Sequence, residues 1–474
     1  MGWMSIVIAF LIAFLGFCVY RQLSIKRPQP AIPKVGYFGR GAPKADDPAI
    51  HPFRVNVSDA QLEELKSRLQ NTRITHEQLE DVDDFTYGFN LKTLIAFQDF
   101  WLHTYNWRAE EKLLNRFDQF TTEIEGLRIH FVHEKPPANA YDRVMPLLLS
   151  HGWPGSTHEF HKIIPMLTDP RKHLGIESDF AFEVVTPSIP GFGFSEAAHK
   201  RGMSQAATGR IFHELACRLG FKKYIVQGGD HGAIIVSQMA RLFPDRLYGI
   251  HINMHSLPYT SPGYMLRALV GSFFPRWMFE SKEFANFSLF RILRTFVAES
   301  GYYHIQASFS IRLDRSTDFF CLQATKPDTL GVALNDSPLG LLAYILEKFS
   351  TATNLDYRRL PDGGLESKGD FTKEELITAV MIYWINGNML QATRFYKESF
   401  DDEANRLLTR EFVHTPTGYA ALENDAIPPQ PRELASLLYN VTHYTFVKNC
   451  GHFAALQCPR ELAADIFSFA RTVI

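Results

Sequence analysis

The sequence predicts an α/β fold, in which helices cover both faces of a mostly parallel β-sheet. Two observations support this prediction. Short apolar runs that resemble buried strands alternate with helix-like segments over residues 127–253, and such alternation is typical of parallel sheets. In addition, the run from Tyr224 to Ser237 passes from an apolar strand through Gly-Gly-Asp-His-Gly into a helix. A sharp strand-to-helix turn of this kind is where one large class of α/β folds places a nucleophile.

The turn at residues 228–232 has the pattern of a nucleophile elbow, small-x-nucleophile-x-small, with Asp230 at its centre. Small neighbours are needed because the turn strains the central residue and brings two chain segments close together. The pattern therefore predicts the α/β-hydrolase fold. A carboxylate in this place can attack an electrophilic sp³ carbon and form an ester to the protein. We expect substrates such as epoxides or alkyl halides.

The bulk composition is that of a folded protein without a polyanionic partner. The chain has 474 residues, 46% of them hydrophobic, and its formal net charge of −2 gives no reason to expect a nucleic-acid partner. Its five cysteines are scattered, without a CxxC or Cys/His spacing, which argues against a disulfide framework and against a zinc site. We therefore expect reduced cysteines, no metal and no cofactor.

The N-terminus has the character of a membrane anchor. The stretch from Trp3 to Tyr20 is uncharged and almost wholly apolar, at the short end of membrane-spanning length. Arg21, Lys26 and Arg27 follow it and no basic residue precedes it, which favours an uncleaved anchor over a cleaved signal peptide. The positive-inside rule then predicts that the following chain lies in the cytoplasm.

Helices are expected after the anchor, and strands only after them. Six prolines in residues 28–52 indicate an extended tether. Ser58 and Gln61 have the spacing of a capping box ahead of an apolar series, and helical patterns continue to about residue 117. The predicted strands are Leu127–Val132, Val144–Ser150, Ala181–Pro187, Tyr224–Gln227, Leu247–Asn253, Phe412–Val413 and Val441–Val447.

From about His255 to Phe400, between the predicted strands Leu247–Asn253 and Phe412–Val413, the sequence is aromatic and mostly helical in pattern, which predicts an inserted cap. A final helix is expected over Arg460–Thr472. The predicted units are a membrane anchor (1–22), a tether with an N-terminal helical wrap (23–120), the first part of the α/β-hydrolase core (121–254), a helical cap (255–405) and the second part of the core (406–474).

A carboxylate nucleophile needs N–H donors for an oxyanion, a base that activates water and a proton donor for the leaving oxygen. The loop His151-Gly-Trp-Pro follows a strand, so the backbone N–H of Trp153 is one candidate oxyanion donor, and that of His231 is the other. A tight turn without chemistry fits the loop equally well. His452 follows the last strand, as the base does in this fold.

The acid that orients His452 must lie between the returning strands and the histidine. Glu423 and Asp425 both satisfy this condition, and spacing alone does not choose between them. Among 18 tyrosines, the sequence pattern also does not select the proton donors.

Further motifs extend in order from about residue 50 to the C-terminus. They are Tyr87-Gly-Phe-Asn, Leu147-Leu-Leu-Ser-His-Gly-Trp-Pro-Gly-Ser, Pro187-Ser-Ile-Pro-Gly-Phe-Gly-Phe-Ser-Glu, Gln227-Gly-Gly-Asp, Glu299-Ser-Gly-Tyr, Thr325-Lys-Pro-Asp-Thr, Leu334-Asn-Asp-Ser-Pro, Arg394-Phe-Tyr-Lys-Glu and Gly451-His-Phe-Ala-Ala. This ordered set resembles the microsomal epoxide hydrolase family, which includes the insect juvenile hormone epoxide hydrolases. The resemblance implies Asp230 as nucleophile, His452 as base and Asp425 as orienting acid, with Glu423 as the runner-up.

The resemblance also implies the proton donors and the activity. Tyr302, or less favourably Tyr303, and Tyr396 would donate protons to the epoxide oxygen. The reaction would be hydrolysis of lipophilic epoxides, xenobiotic or lipid and hormone, to vicinal diols with water and without a cofactor. The family pattern further implies a single-pass protein of the endoplasmic reticulum (microsomal) membrane whose catalytic domain faces the cytosol.

Two departures from the family pattern stand out. His231 occupies a position that is usually Trp, although its backbone N–H is preserved. The segment Ala307–Gln323 is an apparent insertion, which fits a cap loop or a short intron translated in frame. Alternative functions are a haloalkane dehalogenase-like hydrolase and a catalytically weakened lipid-binding or carrier protein on the same fold.

Overall fold

The computed structural model describes residues 31–74, 77–255, 261–290 and 322–474. The predicted anchor, Tyr302 and Tyr303, and residues 307–321 of the apparent insertion lie outside these described residues. Leu322 and Gln323 at the end of the insertion begin a short helix, Leu322–Thr325.

The centre of the described structure is one nine-stranded sheet with the strand order β1-β2-β3-β5-β4-β6-β7-β8-β9. The strands are β1 (His51–Phe53), β2 (Gln119–Ile124), β3 (Leu127–Glu134), β4 (Arg143–Ser150), β5 (Phe180–Pro187), β6 (Tyr224–Gly228), β7 (Leu247–Ile252), β8 (Val413–Leu422) and β9 (Tyr439–Val447). The pairs from β5 through β9 are parallel, and β1, β2 and β3 form an antiparallel edge that joins β5. The predicted mostly parallel sheet is confirmed.

Both faces of this sheet are apolar and covered by helices. Leu148 and Val226 pack on one side, while Leu147, Leu149 and Ile225 pack on the other. This alternation explains why the central strands are continuous apolar runs. The core helices are Ile163–Thr168, Pro170–His173, Gln205–Arg218, His231–Leu242, Arg432–Ala435, Ala454–Gln457 and Pro459–Ala470, with 3₁₀ turns at Thr157–Phe160 and Pro244–Arg246.

The cap consists of helices in the chain between β7 and β8. These are Pro262–Phe273, Pro275–Met278, Leu322–Thr325, Pro327–Asp336, Pro338–Thr353, Lys373–Asn386, Met389–Asp401 and Glu403–Thr409, with 3₁₀ turns at Lys282–Phe284 and Leu355–Arg359. Among the described helices none is long and apolar enough by itself to cross a membrane. One bent pair, Pro327–Asp336 with Pro338–Thr353, reaches the required length and apolar character only when its two helices are taken together.

Three helices between β1 and β2 lie against the cap, namely Asp59–Gln70, Leu91–His103 and Trp107–Leu114. The first of them begins with the predicted capping box of Ser58 and Gln61. Contacts to the cap include the Tyr105 hydroxyl at 2.9 Å from the Thr378 hydroxyl and a Thr93 hydroxyl that donates to the Pro361 carbonyl at 2.9 Å.

The sequence prediction missed part of the sheet. β1 and β2 pair at an edge of the sheet. β1 lies at the end of the predicted tether and β2 directly follows the predicted helices, and neither was predicted as a strand because their three and six residues are too short to show a period. β8 was predicted only as Phe412–Val413 but continues to Leu422. A register shift between Val413 and Pro416 admits the proline that interrupts the strand pattern.

Candidate active site

The candidate site lies at the carboxyl ends of the parallel strands, where α/β sheets place ligands. The chain after β6 turns at Asp230, whose φ of 50° and ψ of −130° are unusual for a residue with a side chain. Gly228 and Gly232 make this turn possible, because a methyl group on Gly228 would overlap the backbone of Gly232. A methyl group on Gly232 would in turn overlap the carbonyl of Ser150 at the end of β4. The elbow predicted from the sequence therefore has a packing reason for each glycine.

Two groups hold the Asp230 carboxylate. The backbone N–H of Trp153, in the loop after β4, donates to Oδ1 at 2.8 Å. The Nε2 atom of His452, in the loop after β9, lies 3.5 Å from Oδ2. Gly152 leaves room for the carboxylate, since a methyl group there would overlap it. The two carboxylate oxygens therefore face two different partners.

The other ring nitrogen of His452 faces Asp425. Nδ1 lies 3.0 Å from Asp425 Oδ1, which also accepts the Ile427 backbone N–H at 3.0 Å. Glu423, the alternative acid, is exposed and accepts the Asn449 backbone N–H at 2.8 Å. Asp425, His452 and Asp230 thus form a continuous chain of contacts from which Glu423 is absent.

Electrostatics favours an ion pair between Asp230 and His452. Burial raises the pKa of Asp230, but the His231 and His452 imidazoles and the Trp153 N–H outweigh burial and lower that pKa well below its usual range. Burial lowers the pKa of His452, but the carboxylates of Asp425 and Asp230 outweigh it and raise that pKa well above its usual value. We therefore expect Asp230 to be ionised and His452 to be protonated at neutral pH.

His231 begins the helix after the elbow, and its side chain points into a buried polar and aromatic environment. The Gln205 amide group donates to its Nδ1 at 3.1 Å, and burial lowers the pKa of its imidazole. The proton of the neutral ring is therefore expected on Nε2. Within the described structure, no hydrogen bond joins the backbone N–H of His231 to the Asp230 carboxylate, so only one of the two predicted oxyanion donors contacts it.

Tyr396 reaches the site from the cap helix Met389–Asp401. Its ring is 1% exposed and lies edge-on to His231, with ring centroids 4.4 Å apart, and to Trp153, with centroids 5.9 Å apart. This predicted proton donor is therefore close to His231, which follows the nucleophile in the chain, and to Trp153, whose backbone N–H contacts it. The other predicted donor, Tyr302, with its runner-up Tyr303, lies outside the described residues.

Three polar residues near Asp230 were not predicted from the sequence. Glu159, Gln227 and Asn253 line a small cavity together with Asp230 and His452. Gln227 and Asn253 lie at the carboxyl ends of β6 and β7, and the Gln227 amide group donates to Asn253 Oδ1 at 2.9 Å. Their position at strand ends is a signal that could have identified Gln227 and Asn253, whereas Glu159 in a turn offers none.

Cys450 and Cys458 are joined by a disulfide, with their Cα atoms 6.1 Å apart. The expectation of reduced cysteines is therefore wrong for this pair. The two residues are brought together by the turn and the short helix Ala454–Gln457 between them, which their spacing in the sequence does not reveal. Cys217 is free, and across the described ranges no group of three or more His, Cys, Asp or Glu side chains could hold a metal ion.

Similarity to known proteins extends over nearly the whole chain. Residues 50–160 match the family described as "Epoxide hydrolase N terminus", and residues 145–316 match "alpha/beta hydrolase fold". "Epoxide hydrolase 1" of Sus scrofa is 40% identical over 98% of this chain and 98% of that protein. "Juvenile hormone epoxide hydrolase 2" of Ctenocephalides felis is 42% identical over 100% of this chain and 95% of that protein. The crystal structure of juvenile hormone epoxide hydrolase from the silkworm Bombyx mori has a TM-score of 0.83 and 36% identity, and the match covers 93% of this chain and 99% of that one.

Proposed function

The chain belongs to the epoxide hydrolase family, and from this premise we propose that it hydrolyses lipophilic epoxides to vicinal diols through an ester to Asp230. The similarity over nearly the full length supports epoxide hydrolysis. The observation that carries the covalent route is the Asp230 carboxylate, which contacts the Trp153 N–H through Oδ1 and His452 through Oδ2.

In the first step, Asp230 Oδ2 attacks an epoxide carbon and the carbon–oxygen bond of the ring breaks. Oδ1 remains on the Trp153 N–H and becomes the carbonyl oxygen of the ester. Tyr396 gives its proton to the epoxide oxygen, and Tyr302 is the second proposed donor. A proton donor is needed because an alkoxide is a far stronger base than a phenolate.

Ester formation changes the charge of the site. The carboxylate of Asp230 is consumed, so the negative charge that raised the pKa of His452 is partly lost. The imidazolium then releases a proton, which restores the phenol of Tyr396. His452 becomes a neutral base at the point in the cycle where a base is required.

In the second step, His452 Nε2 accepts a proton from water while the water oxygen adds to the carbonyl carbon of the ester. Asp425 stabilises the imidazolium that forms. The proposed oxyanion donors are the backbone N–H groups of Trp153 and His231. The intermediate collapses with cleavage of its bond to the substrate oxygen, which takes the second water proton, and Asp230 returns as a carboxylate.

Turnover of a small panel of epoxides, including styrene oxide, tests this proposal. We expect diol formation by the wild-type protein and none by Asp230→Asn. Halide release from haloalkanes without epoxide turnover would favour a dehalogenase instead. Tight binding of epoxides by the wild-type protein without turnover would favour a carrier.

We also propose that residues 1–22 anchor the protein in the endoplasmic reticulum membrane, with the catalytic domain in the cytosol. The apolar stretch and the basic residues after it support this orientation. The full chain is expected to resist alkaline extraction from microsomes, whereas a variant that lacks residues 1–22 should be released. Equal release of both would contradict the anchor.

A further inference from the structure

A small polar cavity of about 20 Å³ adjoins the Asp230 carboxylate. The polar side chains on its wall belong to Asp230, His452, Glu159, Gln227 and Asn253. A buried water requires roughly 10–15 Å³ of space and two to four polar partners. The cavity therefore has the size and the lining to hold one water molecule beside the nucleophile and the proposed base.

The local structure brings the Glu159 side chain to this cavity. Glu159 lies in the 3₁₀ turn Thr157–Phe160, and its backbone N–H donates to the Ser156 carbonyl at 3.1 Å. Gly155 makes room for the carboxyl, because a methyl group there would overlap Oε2 of Glu159. The loop is fixed from the cap side by the Tyr383 hydroxyl, which donates to the Gly155 carbonyl at 2.9 Å.

The Glu159 carboxyl has unused hydrogen-bonding capacity. Within the described ranges no hydrogen bond or ion pair engages it, and its electrostatic neighbours are His452 and Asp230. Burial raises the pKa of Glu159 to about 8, with His452 opposing and Asp230 reinforcing the shift. A protonated carboxyl can both donate and accept a hydrogen bond. The buried Oε1 of Gln227 on the same wall also has no partner among the described residues.

We infer that Glu159 positions the water that cleaves the ester on Asp230. This inference rests on the proposed function. The water would contact the Glu159 carboxyl while His452 Nε2 accepts one of its protons and its oxygen adds to the ester carbon of Asp230. Glu159 forms no bond in the first step, so its contribution belongs to ester hydrolysis.

The test separates the two steps in single-turnover experiments on the full-length protein with styrene oxide. Ester formation is followed by the intact mass of the protein and hydrolysis by diol release. We compare wild type, Glu159→Leu, Glu159→Gln and the control Glu177→Gln, whose side chain is 96% exposed. Glu159→Gln keeps the shape and the hydrogen-bonding capacity of the side chain.

For Glu159→Leu we expect ester hydrolysis to slow by about 10- to 100-fold, since misplacing a reactant by about 1 Å can cost about 100-fold. Ester formation should stay within about threefold and the ester should accumulate. Glu159→Gln should recover most of the hydrolysis rate, and Glu177→Gln should match wild type.

Unchanged ester hydrolysis in Glu159→Leu would overturn the inference. It would also be overturned if ester formation and ester hydrolysis slowed by the same factor in both Glu159→Leu and Glu159→Gln. Neither result would affect the proposed function, because the ester on Asp230 still forms. Failure of the wild-type protein and of His452→Gln to form any ester would instead refute the covalent route itself.

Discussion

Replacement of Asp425 by asparagine removes one negative charge next to the proposed base and little else. The Asp425 Oδ1 atom lies 3.0 Å from His452 Nδ1, and the side chains are 3% and 8% exposed. Asparagine has nearly the same shape, and its Oδ1 can still accept the Ile427 backbone N–H. The fold should therefore survive the substitution.

The size of the effect follows from the lost attraction between the carboxylate and the imidazolium that forms during ester hydrolysis. Opposite charges about 4 Å apart attract by about 4 kcal/mol at an effective dielectric constant of about 20. Since about 1.4 kcal/mol corresponds to a tenfold change in rate, we expect hydrolysis of the ester to slow by about 10³-fold.

Rapid-quench single turnovers, with the ester detected by intact mass, measure this effect. The ester should form in Asp425→Asn and persist. Glu423→Gln is the matched control, because Glu423 is exposed and contacts the Asn449 backbone N–H instead of His452, so its hydrolysis rate should stay within about twofold of wild type. Slow hydrolysis in Glu423→Gln together with normal hydrolysis in Asp425→Asn would refute the assignment.

Further predictions address the first step, the pH dependence and the elbow. Tyr396→Phe should slow ester formation by about 10²- to 10⁴-fold, the usual range for a lost general acid; an unchanged rate would exclude Tyr396 as a donor. Ester formation should be nearly independent of pH between about 5 and about 8, because the pKa of Asp230 lies well below its usual range and the carboxylate stays ionised as pH falls. Ester hydrolysis should instead accelerate as pH rises, because His452 must be neutral to act as the base and Asp425, which raises the pKa of His452, is still present in the ester; a rate that falls as pH rises over this range would contradict the role of His452 as base. Gly152→Ala should abolish ester formation, because the added methyl group overlaps the Asp230 carboxylate, and a crystal structure of the variant should show that carboxylate displaced.

The elbow could be predicted from the sequence because its requirements are local. Gly228 and Gly232 are needed wherever the chain passes this close to itself, and the strand before them and the helix after them are strongly patterned. The positions of Trp153 and His452 were also predictable, because loops at the carboxyl ends of parallel strands meet at one edge of the sheet.

Features that depend on the path of a loop could not be predicted in the same way. Glu423 and Asp425 both follow β8, and the choice between them depends on which side chain the loop turns toward His452. The disulfide between Cys450 and Cys458 depends on how tightly the chain folds around the short helix between them. Glu159 reaches the cavity through a 3₁₀ turn that has no sequence period.

The direct test of the covalent route is a single turnover in H₂¹⁸O with the wild-type protein in excess over epoxide. If water attacks the ester, the first diol carries an oxygen from Asp230 and no ¹⁸O, while the label appears in the peptide that contains Asp230. Diol that is fully labelled in this first turnover, with an unlabelled Asp230 peptide, would contradict the ester and indicate direct attack of water on the epoxide.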